Sequence, residues 1–231
     1  MPKAKQKENP WINILVNVVF PTIILMKISP MIGHVAGLLL ALSLPLFYGI
    51  WDLWKRRTWN FFSLLGLASI LLTGGIGLFS LPPDMVAWKE ALVPGLVGVV
   101  VLITAWTPFP LMKKLLEQVM PWSHIEDAAR EKGKESELLR LTKITTVLLA
   151  CSSFVSAVLN YVLAKLIVMS PAGTDAFNEE LGKMTGLSLP VILVPNFLML
   201  FGLMFYLMWS LAKITGLDIE DLIQETAQHQ A

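Results

Sequence analysis

The sequence predicts an all-α membrane protein with six transmembrane helices, both termini on the cytoplasmic side, and one short interfacial helix after the fourth span. Three observations predict this. Of 231 residues, 55% are hydrophobic and only 15% charged, with eight tryptophans, and a mean hydropathy of +0.65 is far above that of a domain whose surface faces water. Six apolar stretches, at about residues 11–28, 33–51, 60–80, 86–106, 143–168 and 188–211, come close to the roughly 20 helical residues that one bilayer crossing requires. The 18 Lys and Arg residues, placed on alternate sides of these spans, divide unequally. Only Lys27, Lys89, Lys165 and Lys183 fall on the outer side; the rest gather with the termini, which the positive-inside tendency assigns to the cytoplasm.

The expected organisation follows the chain. A basic tail over 1–10 precedes a six-helix membrane domain over 11–212 that carries a cytoplasmic insert at 109–142, and a second cytoplasmic tail runs over 213–231. The first apolar stretch has the basic head and apolar middle of a signal peptide. Lys27 stands where a small-x-small cleavage site belongs, so the stretch reads as an uncleaved span. The second opens on Gly33-His-Val-Ala-Gly37 and the third carries Gly74 and Gly75, patterns of small residues that let helix backbones approach closely. No strand precedes these glycines, so they are not read as a phosphate loop.

The fourth span opens on "MVAWKEALVPG", with Trp88, Lys89 and Glu90 at its mouth. Beyond it, "FPLMKKLLEQVM" puts Leu111, Met112, Leu115, Leu116 and Val119 on one helical face and Lys113, Lys114, Glu117 and Gln118 on the other, the pattern of a helix lying at the membrane surface. Basic and acidic residues alternate in the following segment, 121–141, which reads as a solvated linker rather than a nucleic-acid-binding stretch. In the fifth span Ser152, Ser153, Ser156, Ala157 and Asn160 share a face, while Tyr161 and Lys165, one turn apart, suggest a cation over a ring. Ser153 and Ala157 read as packing positions, and Asn160 as either interhelical glue or a ligand contact. Pro21, Pro45, Pro94 and Pro195 interrupt spans and predict kinks.

Lys27, Lys89, Glu90, Asn160, Tyr161 and Lys165 thus fall near the outer span ends, where two readings compete. Lysines at helix ends snorkel to the interface and Trp88 belongs to an aromatic belt, which makes them anchors. Ionisable groups near membrane depth are also default candidates for a site. His34, His124 and His229 lack ligand spacing, so neither a metal nor a cofactor is expected. Cys151, the single cysteine, reads as a buried small residue. Ser and His never approach in a catalytic pattern, so the chain is read as non-enzymatic.

These motifs, in this order, resemble the intracellular septation protein A family of small bacterial inner-membrane proteins, or a sister group of it. The resemblance extends from about Leu15 to Tyr206 and rests on Lys27, Arg56-Arg57, Gly74-Gly75, Trp88-Lys89, the "PLMKKLL" segment Pro110–Leu116, and Asn160-Tyr161. It implies a multi-pass protein of the bacterial inner membrane that supports septation and the cell envelope, with membrane lipids, other envelope proteins or further copies of itself as partners. Relative to the family, the insert at 121–141 and an outer loop at about 170–187 are expected to be longer. The competing expectation is a carrier or lipid-handling protein whose outer lysines hold an anionic headgroup.

Overall fold

The computed structural model describes residues 14–56, 61–107, 110–218 and 222. The N-terminal tail, the first residues of the first span, Arg57, Asn60 and most of the C-terminal tail lie outside the described residues. Every regular element among the described residues is helical. In order these are α1 (Leu15–Ile32), then α2 (His34–Arg56), α3 (Phe61–Leu78), α4 (Asp84–Thr104), α5 (Leu111–Leu116), α6 (Trp122–Glu131), α7 (Glu135–Ile167), α8 (Asp175–Ser188) and α9 (Val194–Thr215). Among the described residues, five helical stretches are long and apolar enough to cross a membrane: Leu15–Ile32, His34–Trp51, Asp84–Thr104, Glu135–Ile167 and Asp175–Thr215. The described apolar part of α3, Ala68–Leu78, is shorter.

The prolines act unequally. Pro21 lacks a backbone donor, and α1 widens on either side of it, over Leu15–Val19 and Ile24–Ile28, where amides reach back five residues. A similar wide turn over Leu189–Leu193 leads into Val194 and Pro195. Wide turns of this kind absorb the backbone groups that a proline frees. Pro45 and Pro94 instead sit inside α2 and α4 without ending either helix.

Two compact units make up the chain, one from Met1–Val93 with Ala157–Leu193 and the other from Pro94–Ser156 with Val194–Ala231. In the first, Leu25, Leu38, Ile76, Val86, Phe177 and Leu181 form a buried core. The turn between α1 and α2 is a single residue, Gly33, at φ +90°, a conformation glycine adopts without a side-chain clash. Four residues on, a Cβ at Gly37 would lie 2.4 Å from the Cβ of Ser29. The two glycines of the small-residue pattern therefore do different work, one turning the chain and the other bringing α2 onto α1. A Cβ at Gly74 would lie 3.3 Å from Leu42, whereas one at Gly75 would meet no neighbouring element within 4 Å.

Sequence reading treats 170–187 as an outer loop, but the structure forms α8 there. Thr174 caps the helix by accepting from the Phe177 amide at 3.2 Å and donating to the Pro171 carbonyl at 2.8 Å, the role its short hydroxyl suits. One face of α8 buries Phe177, Asn178, Leu181, Gly182 and Met184. At Gly182 a Cβ would lie 2.7 Å from Met26 and 3.1 Å from Leu25, so α8 docks on α1 through a glycine notch. With the wide turn, α8 and α9 make a helical stretch of 41 residues, about twice what one crossing requires.

The second unit corrects the reading of the insert. Segment 121–141 is not a solvated linker: Trp122, Ile125 and Ala129 of α6 are buried with Leu138, Leu207 and Leu211. Apolar residues at i, i+3 and i+7 give α6 a face that burial stabilises, while its charges face outward. The short α5 divides its apolar residues: Met112 and Leu116 enter this core, whereas Leu115, and Val119 just beyond the helix, stay exposed. The Met112 amide donates to Thr146 Oγ1 at 3.2 Å. Cys151, expected to be buried, lies exposed on α7.

A buried lysine clip and its neighbours

The first turn of α4 follows Pro82-Pro83, whose carbonyls accept from the Met85 and Val86 amides. Asp84 begins the helix, where a negative charge favours the dipole. Its Oδ1 accepts from Lys165 Nζ at 2.5 Å, so the end of α7 is tied to the start of α4. Both side chains are about half exposed, and exposed pairs are worth little, about 0–1 kcal/mol.

Lys89 is different. It is 8% exposed, donating to Glu90 Oε1 at 2.5 Å and to Thr73 Oγ1 of α3 at 2.8 Å. Thr73 passes the polarity on, its hydroxyl donating to the Ser69 carbonyl at 3.0 Å. Adjacent residues on a helix point about 100° apart, so a contact between Lys89 and Glu90 requires the long lysine stem to fold back along the helix. The result is a neutral clip that fastens α4 to α3, with each buried charge satisfied.

Of the six residues that sequence reading groups at the outer span ends, the structure joins some and separates others. Lys89 and Glu90 meet each other. Trp88 and Tyr161 pack edge to face with centroids 5.1 Å apart at 64°, a favourable aromatic geometry. Tyr161 therefore lends its ring to Trp88, and Lys165 turns to Asp84 rather than to that ring. Lys27 lies exposed on α1. Asn160 is half-buried and partnered. On the serine face, Ser152 reaches Asn196 Oδ1 at 3.4 Å and Ser153 returns to the Leu149 carbonyl at 3.3 Å, the local satisfaction available to serine in a helix. Ala157 is half-buried.

Asp84, Thr73 and Glu180 are among the polar groups that escape sequence reading. Asp84 and Thr73 complete the lysine contacts just described. Glu180 of α8 accepts from the Met169 and Ser170 amides at 2.9 and 2.8 Å and from the Ser170 hydroxyl at 2.7 Å, pinning the chain as it leaves α7. The acid beside Pro83 signals a helix start, but nothing local in sequence indicates which distant lysine it meets.

Several long apolar helices define a multi-pass helical membrane protein. No family model, no curated protein and no solved structure matches the chain.

Proposed function

We propose that the chain is a six-span protein of the bacterial inner membrane, with both termini in the cytoplasm, that serves the cell envelope as a non-enzymatic holder of other membrane proteins, as its resemblance to the septation family implies. One observation carries the reading. On α9, Leu198, Phe201 and Phe205 are 69%, 65% and 77% exposed, and Gly202 among them has nothing within 4 Å of a Cβ position. Residues at i, i+3, i+4 and i+7 share a face, so bulky side chains flank a small notch that admits a partner helix closely.

A carrier that takes an anionic headgroup on the outer side draws less support. Two of its three lysines, Lys89 and Lys165, already spend their charge on carboxylates.

Photocrosslinking tests the holder. A benzophenone amino acid at Phe205 in living cells is expected to capture a membrane protein, and the same probe at Leu72 of α3 is not. Lipid adducts alone at Phe205 overturn the reading. Topology has its own test in a Cys151→Ser background: an impermeant thiol reagent applied to intact spheroplasts labels Ser80→Cys and leaves Lys132→Cys unlabelled. The opposite labelling overturns the six-span orientation.

A further inference from the structure

The second unit contains a cavity of about 260 Å³ between α5, α6 and the start of α7, with Lys113, Trp122, Glu126, Arg130, Glu135 and Leu138 in its wall. Its volume is below the roughly 300–1,000 Å³ of drug-sized pockets. A compact polar group suits it.

The wall has two cations and two carboxylates, and their pairing leaves particular atoms open. Glu126 Oε1 accepts both Lys113 Nζ at 2.6 Å and Trp122 Nε1 at 2.8 Å, which leaves Oε2 without a donor among the described residues. Among the described residues Arg130 engages a partner through Nε, which donates to Glu135 Oε1 at 2.7 Å, and both terminal nitrogens of its guanidinium have no partner there. An open guanidinium edge is suited to the oxygens of a phosphate, and a carboxylate oxygen accepts from an ammonium. The Lys113 hydrogen bond holds the Glu126 carboxyl below the usual carboxylate range, so that oxygen remains anionic at neutral pH.

The formal charges of the four side chains cancel. A purely anionic guest gains at Arg130 and loses at Glu126 and Glu135, whereas a guest carrying both signs gains at each. Leu138 and Leu139 supply an apolar wall.

We propose that this cavity binds a phosphorylated primary amine, with phosphate on Arg130 and Lys113 and ammonium on Glu126. Such a zwitterion comes either as a phospholipid headgroup or as the free phosphoethanolamine-type molecule. The site stands apart from the α9 surface and does not rest on the holder reading.

Lipid retention read by native mass spectrometry tests it, using full-length protein released from nanodiscs containing equal phosphatidylethanolamine and phosphatidylglycerol. The wild type is expected to keep phosphatidylethanolamine at least fivefold in excess. Arg130→Gln lowers that retention about tenfold. Glu126→Gln leaves the wall with a net positive charge and reverses the preference toward phosphatidylglycerol, an outcome that loss of folding does not produce. Displacement of the retained lipid by millimolar soluble phosphoethanolamine assigns the affinity to the headgroup alone. Persistence of the lipid under that competition makes the membrane the source, and both results support the zwitterion. Equal retention of the two lipids by the wild type, or an unchanged preference in Glu126→Gln, overturns the proposal.

Discussion

Glu90→Gln is expected to destabilise the protein more than Lys89→Met, although the lysine is the more buried partner. The asymmetry follows from what each change leaves behind. With Glu90 neutralised, an ammonium on a side chain only 7% exposed keeps Thr73 as its neutral acceptor and loses its counter-charge. Leaving one partner of a buried pair uncompensated costs about 3–5 kcal/mol, and the lower end applies because the Glu90 side chain is 24% exposed and water is within reach. Lys89→Met preserves the unbranched bulk and removes the cation. Thr73 keeps its bond to Ser69 and Glu90 turns to water, so the cost is about 1 kcal/mol, in the range of a volume-conserving change. The double variant Lys89→Met/Glu90→Gln is therefore less damaged than Glu90→Gln alone. Unfolding in mixed micelles with rising SDS, followed by tryptophan fluorescence, measures all three. Equal losses in the two single variants, or simple additivity in the double, would show that the clip does not behave as a coupled pair. If Lys89→Met is as stable as expected and yet fails to restore a deletion strain, the clip has a role beyond holding α4 to α3.

How much of this was legible in the sequence depends on the range over which each feature is determined. The crossing helices announce themselves through hydropathy, because lipid contact demands apolar residues over an entire helix regardless of neighbours. α8 does not, since Asp175, Glu179, Glu180 and Lys183 pull its mean hydropathy down. Its apolar positions Phe177, Leu181 and Met184 nevertheless recur at helical spacing, and Thr174-Asp175 marks a helix start. Periodicity had the signal that averaging removed. The same applies to α6, where Trp122, Ile125 and Ala129 lie on one face within a run that its charges made look solvated. The adjacency of Lys89 and Glu90 is plain in sequence. Their third member, Thr73, is 16 positions away, and Asp84 is 81 from Lys165. Residue type identifies groups that need partners; only packing chooses the partner.

Asn178 illustrates this most fully and gives the second large expected effect. It sits in the first turns of α8, 1% exposed, and its Nδ2 donates to Ser29 Oγ at 2.8 Å and to the His34 carbonyl at 2.7 Å. One amide group thus satisfies both sides of the Gly33 turn, a junction where α1 ends and α2 begins with no intervening loop. Asn178→Leu removes both donors and forces a bulkier group between Ser29 and His34. The bond to Ser29 is buried and that to His34 partly so; a buried acceptor left unsatisfied costs about 1–3 kcal/mol, and with the bulkier leucine a loss of about 2–4 kcal/mol is expected. Asn178→Asp costs at least as much, because a carboxylate has no proton for the His34 carbonyl unless it is protonated on burial. Ser29→Ala removes one acceptor and leaves the bond to His34, for about 1 kcal/mol. SDS unfolding ranks the three, and limited proteolysis between Ser170 and Thr174 reports whether α8 has released. A Ser29→Ala variant as damaged as Asn178→Leu would assign the effect to close packing at Gly37, which shares Ser29, rather than to the amide. A silent Asn178→Leu would mean that the glycine notch at Gly182 is enough to keep α8 on α1. The expected ranking makes a single buried amide the bond that fastens the start of the 41-residue helical stretch to the first hairpin.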